Sequence, residues 1–213
     1  MKVIYLVRHS SQYKEVLFQN SMLDERTKNM LIPLSCDGEK KAMLMSDKYF
    51  SNSINYLCSS EYSRALNTAK YISKNNGLII NIFSDFNERN LGDVKNIKEE
   101  FWLDQLRDEN VKTLNGESQK EVRHRMMLGL YKVLDSIGDN ESAVIVSHAS
   151  AITFLLMNWC DLIDVSLEGK VRHLKYNYKT VINDSFGAPE IFKLVFTVDN
   201  QIVDVCRLME GGE

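Results

Sequence analysis

Two histidines and two arginines stand where predicted strands end, and together they could bind and attack a phosphate ester. Arg8 and His9 follow the first predicted strand, Arg64 follows the second, and His148 follows the fourth. The planar guanidinium group matches phosphoryl oxygens in bidentate fashion, and helix N-termini add backbone donors. A neutral imidazole beside two guanidiniums can attack phosphorus, because the cations offset the phosphoryl charge and lower the histidine pKa. These residue types therefore predict a pocket for a dianion.

Departure of an alkoxide from phosphorus also requires a proton donor, for which Glu88 is the best candidate. This residue follows the third predicted strand, within the segment 86–92. A partly buried carboxyl group has a raised pKa, which suits a general acid. The alternative is an ordinary surface glutamate paired with Arg89.

Each of the other four residues also has a purely structural interpretation. A charged pair such as Arg8-His9 often marks a chain that enters solvent after a strand. Arg64 in the first turn of a helix faces the positive end of the helix dipole, which is unfavourable unless an anion lies nearby. His148, between an apolar strand and an apolar helix, would fit a satisfied buried histidine. The set as a whole favours a ligand pocket over these separate interpretations.

The elements that would position these residues alternate between strand and helix. Short apolar runs predict buried strands over 3–7, 55–58, 78–82 and 143–146, whereas helical spacing predicts helices over 38–50, 61–73, 118–137 and 151–159. Ser35 and Ser60 are expected to precede their helices as caps, and Ser118 with Glu121 forms a capping box. Strand–helix alternation predicts an α/β fold, a three-layer α/β/α sandwich with a mainly parallel sheet. Ligands bind such sheets at the carboxyl ends of the strands.

The domain organisation is predicted to be a single domain over 1–213. The stretch 85–138 is rich in helix and is expected to form a small helical cap over one sheet edge. Residues 190–198 and 201–208 predict a terminal hairpin, whereas 171–182 could be strand or loop.

Composition and charge exclude several classes of partner. The 213 residues carry 26 Lys plus Arg against 29 Asp plus Glu, so no basic excess exists for nucleic acid or an anionic membrane surface. No apolar run is long enough to cross a bilayer, and the four cysteines form no Cys-x-x-Cys pair. We therefore expect a cytoplasmic protein with free thiols. No histidine pair is spaced as metal ligands, and the arginines would repel a divalent ion, so we expect neither a metal nor a cofactor.

The order and spacing of five short motifs resemble the histidine phosphatase superfamily, the phosphoglycerate mutase-like proteins. Residues 6–10 read Leu-Val-Arg-His-Ser against the Leu-x-Arg-His-Gly of the family, and 59–69 match its Ser-Ser-x-x-x-Arg-Ala-x-x-Thr-Ala segment. Residues 86–92 are similar to the Leu-x-Glu-Arg-x-x-Gly segment, 116–118 to the Gly-Glu-Ser helix start, and 144–149 to the Val-Ser-His-Gly strand end.

The resemblance implies a phosphoglycerate mutase-like fold and a role for each site residue. His9 would be the nucleophile that becomes phosphohistidine, Arg8 and Arg64 would clamp the phosphate, and His148 would bind it and stabilise the transition state. Glu88 would be the proton donor. The implied activity is that of a histidine acid phosphatase-like, metal-independent phosphomonoester hydrolase. Its partners would be a small-molecule phosphomonoester or inorganic phosphate, and the oligomeric state stays open.

Two alternatives stay open at this stage. A phosphoglycerate mutase-type phosphotransferase would use the same parts, and a non-catalytic phosphate-binding protein could be built on the same fold. The second alternative rests on three departures from the family pattern, namely Ser10 where the family has glycine, Gln12 where it has threonine, and the segment 11–32. Ala149 also stands where the family has glycine. Because the segment 11–32 does not follow the family pattern, the substrate is left open.

Overall fold

The computed structural model describes residues 1–13, 22–94, 97–98, 100–165, 172–184 and 187–208. Its helices and strands follow in the order β1 (Lys2–Arg8), α1 (Glu25–Leu31), α2 (Cys36–Tyr49), β2 (Tyr56–Ser59), α3 (Ser63–Asn76), β3 (Asn81–Ile82), α4 (Phe101–Arg107), α5 (Gln119–Asp135), β4 (Ser142–Ser147), α6 (Ala149–Leu156), β5 (Asp161–Val165), β6 (Arg172–Tyr176), β7 (Lys179–Ile182), β8 (Glu190–Phe196) and β9 (Ile202–Leu208). A single turn of 3-10 helix, Ser84–Phe86, follows β3.

Two sheets form within the described residues. The main sheet has six strands in the order β3-β2-β4-β1-β8-β9. Its first four strands are parallel, while β8 and β9 are antiparallel additions at one edge. The smaller sheet has the order β5-β6-β7 and is antiparallel. The prediction of a mainly parallel sheet is confirmed, and so is the terminal hairpin.

The apolar side chains of β1 point alternately to the two faces of the sheet, and this explains why helices cover both faces. Ile4 and Leu6 pack in one core with α5 and α6, whereas Val7 packs in a second core with α2 and α3. Successive strand side chains point to opposite faces, so a strand that is apolar throughout needs helices on both sides. The three-layer α/β/α sandwich is therefore confirmed.

Capping residues fix where two of the long helices begin. The Ser35 hydroxyl accepts from the amide of Gly38 at the start of α2, and Ser118 with Glu121 forms the predicted capping box of α5. Within the segment 85–138, α5 buries its apolar stripe in the core beside α6. The prediction for Ser60 was wrong, since α3 begins at Ser63 and no side chain caps it.

The remaining differences lie at element ends and in the smaller sheet. The third strand is only β3, because Gly77 closes α3 in the left-handed conformation and the Leu78 amide still bonds to the Ser73 carbonyl. The last helix begins at Ala149 rather than at 151 and ends at Leu156 rather than at 159. The region 171–182 contains strands β6 and β7, although residue 171 lies outside the described residues.

Two expectations from composition can also be compared with the structure. All four cysteines are free thiols. In the part of the chain that the structure describes, no helix is both long and apolar enough to cross a membrane.

Candidate active site

Three neighbouring strands bring the predicted residues to one edge of the main sheet. Strand β1 ends level with β4, and β2 ends within one residue of them. The residues that follow these strands, His9, Ser60 and His148, therefore leave the sheet side by side. The centroids of the two imidazole rings lie 5.0 Å apart.

The hydrogen bonds of His9 define its chemical state. Its Nδ1 lies 2.7 Å from the carbonyl oxygen of Ser10, and because a carbonyl can only accept, Nδ1 carries the proton. The lone pair is then on Nε2, which accepts from Nε of Arg64 at 3.1 Å. Burial lowers the pKa of His9 to about 3, with further lowering by the charges of Arg64 and Arg8. The imidazole is therefore neutral near pH 7, with its unprotonated nitrogen directed at a guanidinium.

The two arginines that act on His9 come from different elements. Arg64 lies in the first turn of α3, is 3% exposed, and donates from a terminal nitrogen to the Asn29 carbonyl at 2.6 Å. Arg8, at the end of β1, donates to the Gly187 carbonyl at 2.9 Å. Burial lowers the pKa of both arginines, and the nearby carboxylate of Glu88 raises it. Positive charge is thus concentrated beside His9.

His148 presents an unused donor inside the same pocket. Its Nε2 lies 2.7 Å from the hydroxyl of Ser60, which already accepts from the amide of Tyr62 at 3.1 Å. No other acceptor for the Ser60 hydroxyl proton is seen among the described residues, so we assign this proton to the bond with Nε2 and the proton of the neutral ring to Nδ1. Burial holds the pKa of His148 well below its usual value, and the neighbouring His9 and Arg64 lower it further. Among the described residues, no group accepts a hydrogen bond from the buried Nδ1. An unpaired buried donor beside two arginines suits an anionic oxygen.

Glu88 lies in the loop that follows the 3-10 turn, and its side chain reaches the first turn of α6. Its Oε1 accepts from the amide of Ala151 at 3.2 Å and from that of Arg89 at 2.9 Å. The Arg89 guanidinium itself donates to the carbonyl of Glu117 and to the side chain of Gln105. Glu88 thus has partners other than a surface ion pair with Arg89, and its charge acts on both arginines of the pocket.

A cleft of about 500 Å³ opens beside Tyr62, whose ring contacts His148, and Glu88. Its wall also includes Asn29 from α1 and Trp102 from α4. The cleft is therefore bounded partly by residues that follow no family pattern and partly by the segment between β3 and α5.

The position after His9 has a structural role in holding the site together. The Ser10 amide donates to the Thr68 hydroxyl at 3.0 Å, and the Ser10 hydroxyl donates to the Gly38 carbonyl at 2.7 Å. A Cβ atom on Gly38 would lie 2.0 Å from the carbonyl oxygen of Ser11, so only glycine allows this close approach. Ser10 thus ties the chain after His9 to the start of α2.

Sequence reasoning missed three contributors to the site. The Ser60 hydroxyl was expected at a helix cap but sets the tautomer of His148. The ring of Tyr62 lies edge-on to His148, with centroids 4.7 Å apart, and its centroid is 4.8 Å from the guanidinium carbon of Arg64. Asn29 lies in a segment without a recognisable pattern. Only Ser60, inside the Ser-Ser-x-x-x-Arg motif, carried a signal in the sequence.

The described residues contain no group of three or more His, Cys, Asp or Glu side chains that could hold a metal ion.

Comparison with known proteins assigns the chain to a family. A family model described as the histidine phosphatase superfamily (branch 1) matches residues 4–176. The chain belongs to this superfamily.

Two curated proteins are similar in sequence to this chain. The probable phosphoglycerate mutase GpmB of Salmonella paratyphi A is 28% identical over 166 residues, which cover 73% of this chain and 74% of that protein. The uncharacterized phosphatase PhoE of Bacillus subtilis (strain 168) is 33% identical over 125 residues, which cover 59% of this chain and 63% of that protein.

A solved structure has the same fold along the whole chain. A mycobacterial glucosyl-3-phosphoglycerate phosphatase, in complex with VO3, superimposes with a TM-score of 0.68 at 16% identity and covers 100% of both chains. This likeness supports the phosphoglycerate mutase-like fold.

Proposed function

We propose that the protein is a metal-independent phosphomonoester hydrolase that forms a phosphohistidine on His9. The observation that carries this proposal is the hydrogen bond between Nδ1 of His9 and the Ser10 carbonyl. That bond keeps the proton on Nδ1 and leaves the Nε2 lone pair beside Arg64. A neutral, oriented imidazole next to a guanidinium has the arrangement that attack on a phosphoryl group requires.

In the first half of the reaction, the phosphoryl group binds between Arg8, Arg64 and the Nδ1–H of His148. The Arg64 Nε–H moves from Nε2 of His9 to a phosphoryl oxygen, which frees the lone pair. Nε2 then forms a bond to phosphorus while the ester P–O bond breaks. Glu88, in its protonated form, transfers its proton to the leaving oxygen. The cations stabilise charge that develops on the transferred group, which supplies most of the rate enhancement in phosphoryl transfer.

In the second half, water replaces the alcohol. Glu88, now a carboxylate, takes a proton from the water while the water oxygen attacks phosphorus. The P–N bond breaks, the electron pair returns to Nε2 of His9, and inorganic phosphate leaves. Glu88 is protonated again, so the cycle closes with all protons accounted for. The positive charge comes from arginine side chains, so no step of this sequence needs a metal ion. We place the substrate among small-molecule phosphomonoesters and the protein in the cytoplasm.

A phosphoglycerate mutase-type phosphotransferase is the second candidate function. The observation that favours it is the 28% identity to a protein named a probable phosphoglycerate mutase. In this reaction a second hydroxyl of the substrate, rather than water, would take the phosphoryl group from His9. A phosphoglycerate substrate separates the candidates, because a hydrolase releases inorganic phosphate and a mutase returns an isomer with the phosphate retained.

The experiment that tests the proposal is turnover of an aryl phosphate in the presence and absence of a chelator. We expect hydrolysis that survives the chelator and is lost in His9→Asn, in which Asn has a similar size and no imidazole lone pair. Arg107→Gln, on the exposed side of α4, is the matched control and should retain activity. Binding of phosphate without turnover of a broad phosphoester panel would instead support a non-catalytic member of the fold.

A further inference from the structure

We propose that Glu190 is a positioning residue for Arg8, and that it acts through the backbone of Gly187. This inference rests on the proposed function, in which Arg8 binds the phosphoryl group. Arg8 lies at the end of β1, and Glu190 is the first residue of the neighbouring antiparallel strand β8. The two residues are directly opposite each other in the sheet register. Their side chains therefore emerge on the same face as cross-strand neighbours.

Four groups form a continuous chain of hydrogen bonds that ends on Arg8. Arg207 donates to Oε2 of Glu190 at 2.8 Å, and the same oxygen accepts from the amide of Gly187 at 3.1 Å. The carbonyl of Gly187 then accepts from Arg8 at 2.9 Å. Glu190 thus binds the amide of the same residue whose carbonyl oxygen accepts from the guanidinium. Its negative charge also raises the pKa of Arg8 against the effect of burial.

The ion pair between Arg207 and Glu190, from which this chain of hydrogen bonds begins, is largely shielded from solvent. The side chains of Glu190 and Arg207 are each only 12% exposed. Removing two charges from water has a desolvation cost that their mutual attraction often offsets only in part, so such a pair is weak evidence for stability. A positioning role explains why the pair is kept here, because Glu190 is linked through Gly187 to Arg8, the arginine proposed to bind phosphate. A second contact, from the Ser11 hydroxyl to the Ala188 carbonyl at 3.1 Å, joins the same segment to the chain after His9.

The first test measures the binding of inorganic phosphate by calorimetry and the turnover of an aryl phosphate. In Glu190→Ala we expect the Kd for phosphate to rise about tenfold, the scale of one hydrogen bond to a charged group. KM should rise in parallel while kcat changes less, because Arg8 binds the phosphoryl group in the ground state as well as in the transition state. Glu190→Gln keeps an acceptor for the Gly187 amide and should recover most of the affinity. Unchanged affinity in a folded Glu190→Ala, or equal damage in both variants, would overturn the proposal.

Matched controls separate positioning from general destabilisation. Asp184 also pairs with Arg207, at 2.7 Å, but is about half exposed, and no hydrogen bond from the Gly187 amide to it is seen in the described residues. Asp184→Asn should therefore leave phosphate affinity within about twofold, as expected for an exposed ion pair. A double-mutant cycle with Arg8→Met should be strongly non-additive, since Glu190 has nothing to position once the guanidinium is gone. Additive losses would contradict the proposal.

Hydrogen exchange of the Gly187 amide gives a readout that does not depend on catalysis. The exchange rate in the ligand-free protein should increase in Glu190→Ala and stay near the wild-type rate in Glu190→Gln. If the wild-type protein bound no phosphate and turned over no ester, the proposed function would fail, while the exchange rates would still decide whether Glu190 holds Gly187. If Glu190→Ala does not fold, Glu190→Asp takes its place. The aspartate side chain is shorter by one methylene and does not reach the Gly187 amide, so this variant should show the same faster exchange. Unchanged exchange in the folded variant would overturn the proposal.

Discussion

Acid should destabilise the wild-type protein more than a His9→Asn variant, because the folded protein holds this imidazole neutral. Burial, assisted by Arg64, lowers the pKa of His9 from 6.5 to about 3. The unfolded chain therefore takes up a proton at a higher pH than the folded protein does. The contribution of the neutral His9 imidazole to the free energy of unfolding is present above pH 6.5 and is lost as the pH drops from 6.5 towards 3.

The size of the effect follows from these two pKa values. At pH 5 the imidazole is almost fully protonated in the unfolded chain and almost fully neutral in the folded protein. Proton linkage then gives a loss of about 2 kcal/mol between pH 8 and pH 5 from His9 alone. His148 is also held neutral, chiefly by burial, which His9→Asn leaves in place. Because His9 is uncharged in the folded protein between pH 5 and pH 8, its replacement removes no charge beside His148, and the contribution of His148 stays nearly equal in the two proteins.

Urea unfolding of both proteins at several values between pH 8 and pH 5 measures this difference. The free energy of unfolding of the wild type should fall by about 2 kcal/mol more than that of His9→Asn over this range. His124, exposed on α5, provides the control, since His124→Asn should keep the wild-type pH dependence. Parallel pH curves for the wild type and His9→Asn would refute the argument that burial and charge keep the imidazole neutral.

Three further substitutions test the roles of individual groups. Arg64→Lys should lower kcat/KM for an aryl phosphate by about 100-fold in steady-state assays, because lysine keeps the charge but loses the planar fork and the Nε–H beside His9. A wild-type value would contradict the assignment. Glu88→Gln should lower kcat/KM, which reports the steps up to departure of the leaving group, by about 100-fold for an alkyl phosphate and much less for an aryl phosphate, whose leaving group needs no proton. Equal losses on both esters would exclude a proton donor. Ser60→Ala should reduce the free energy of unfolding by about 1–3 kcal/mol in urea titrations, since it leaves Nε2 of His148 buried without a partner. An unchanged value would show that the Ser60 hydroxyl does not satisfy this ring.

The sequence was sufficient to predict the parallel part of the sheet and the meeting of its strand ends. Strands such as β1 are apolar on both faces, and this pattern has few solutions other than a sheet covered by helices on both sides. Parallel neighbouring strands then bring their carboxyl ends to one edge, so Arg8, His9 and His148 could be expected to converge. The capping box of Ser118 gave the start of α5 because its two reciprocal hydrogen bonds are local.

The parts that were missed depend on contacts distant in the sequence. Helices α1 and α4 have seven residues each, too few for a helical pattern to stand out. The hydrogen bond from Ser60 to His148 joins residues that are 88 positions apart. No local pattern distinguishes such a serine from a helix cap, which is why Ser60 was assigned to α3. The same holds for Glu190, whose proposed role depends on its register opposite Arg8.

The most direct test of the central claim is to trap the phosphorylated protein. The wild-type protein is mixed with an excess of aryl phosphate, quenched in alkali and analysed by peptide mass spectrometry. The account predicts one phosphoryl group on the peptide that contains His9, stable in alkali, lost in acid, and absent from His9→Asn. Steady turnover of the ester with no phosphoryl group on that peptide at any time, or with the group on another residue, would contradict it.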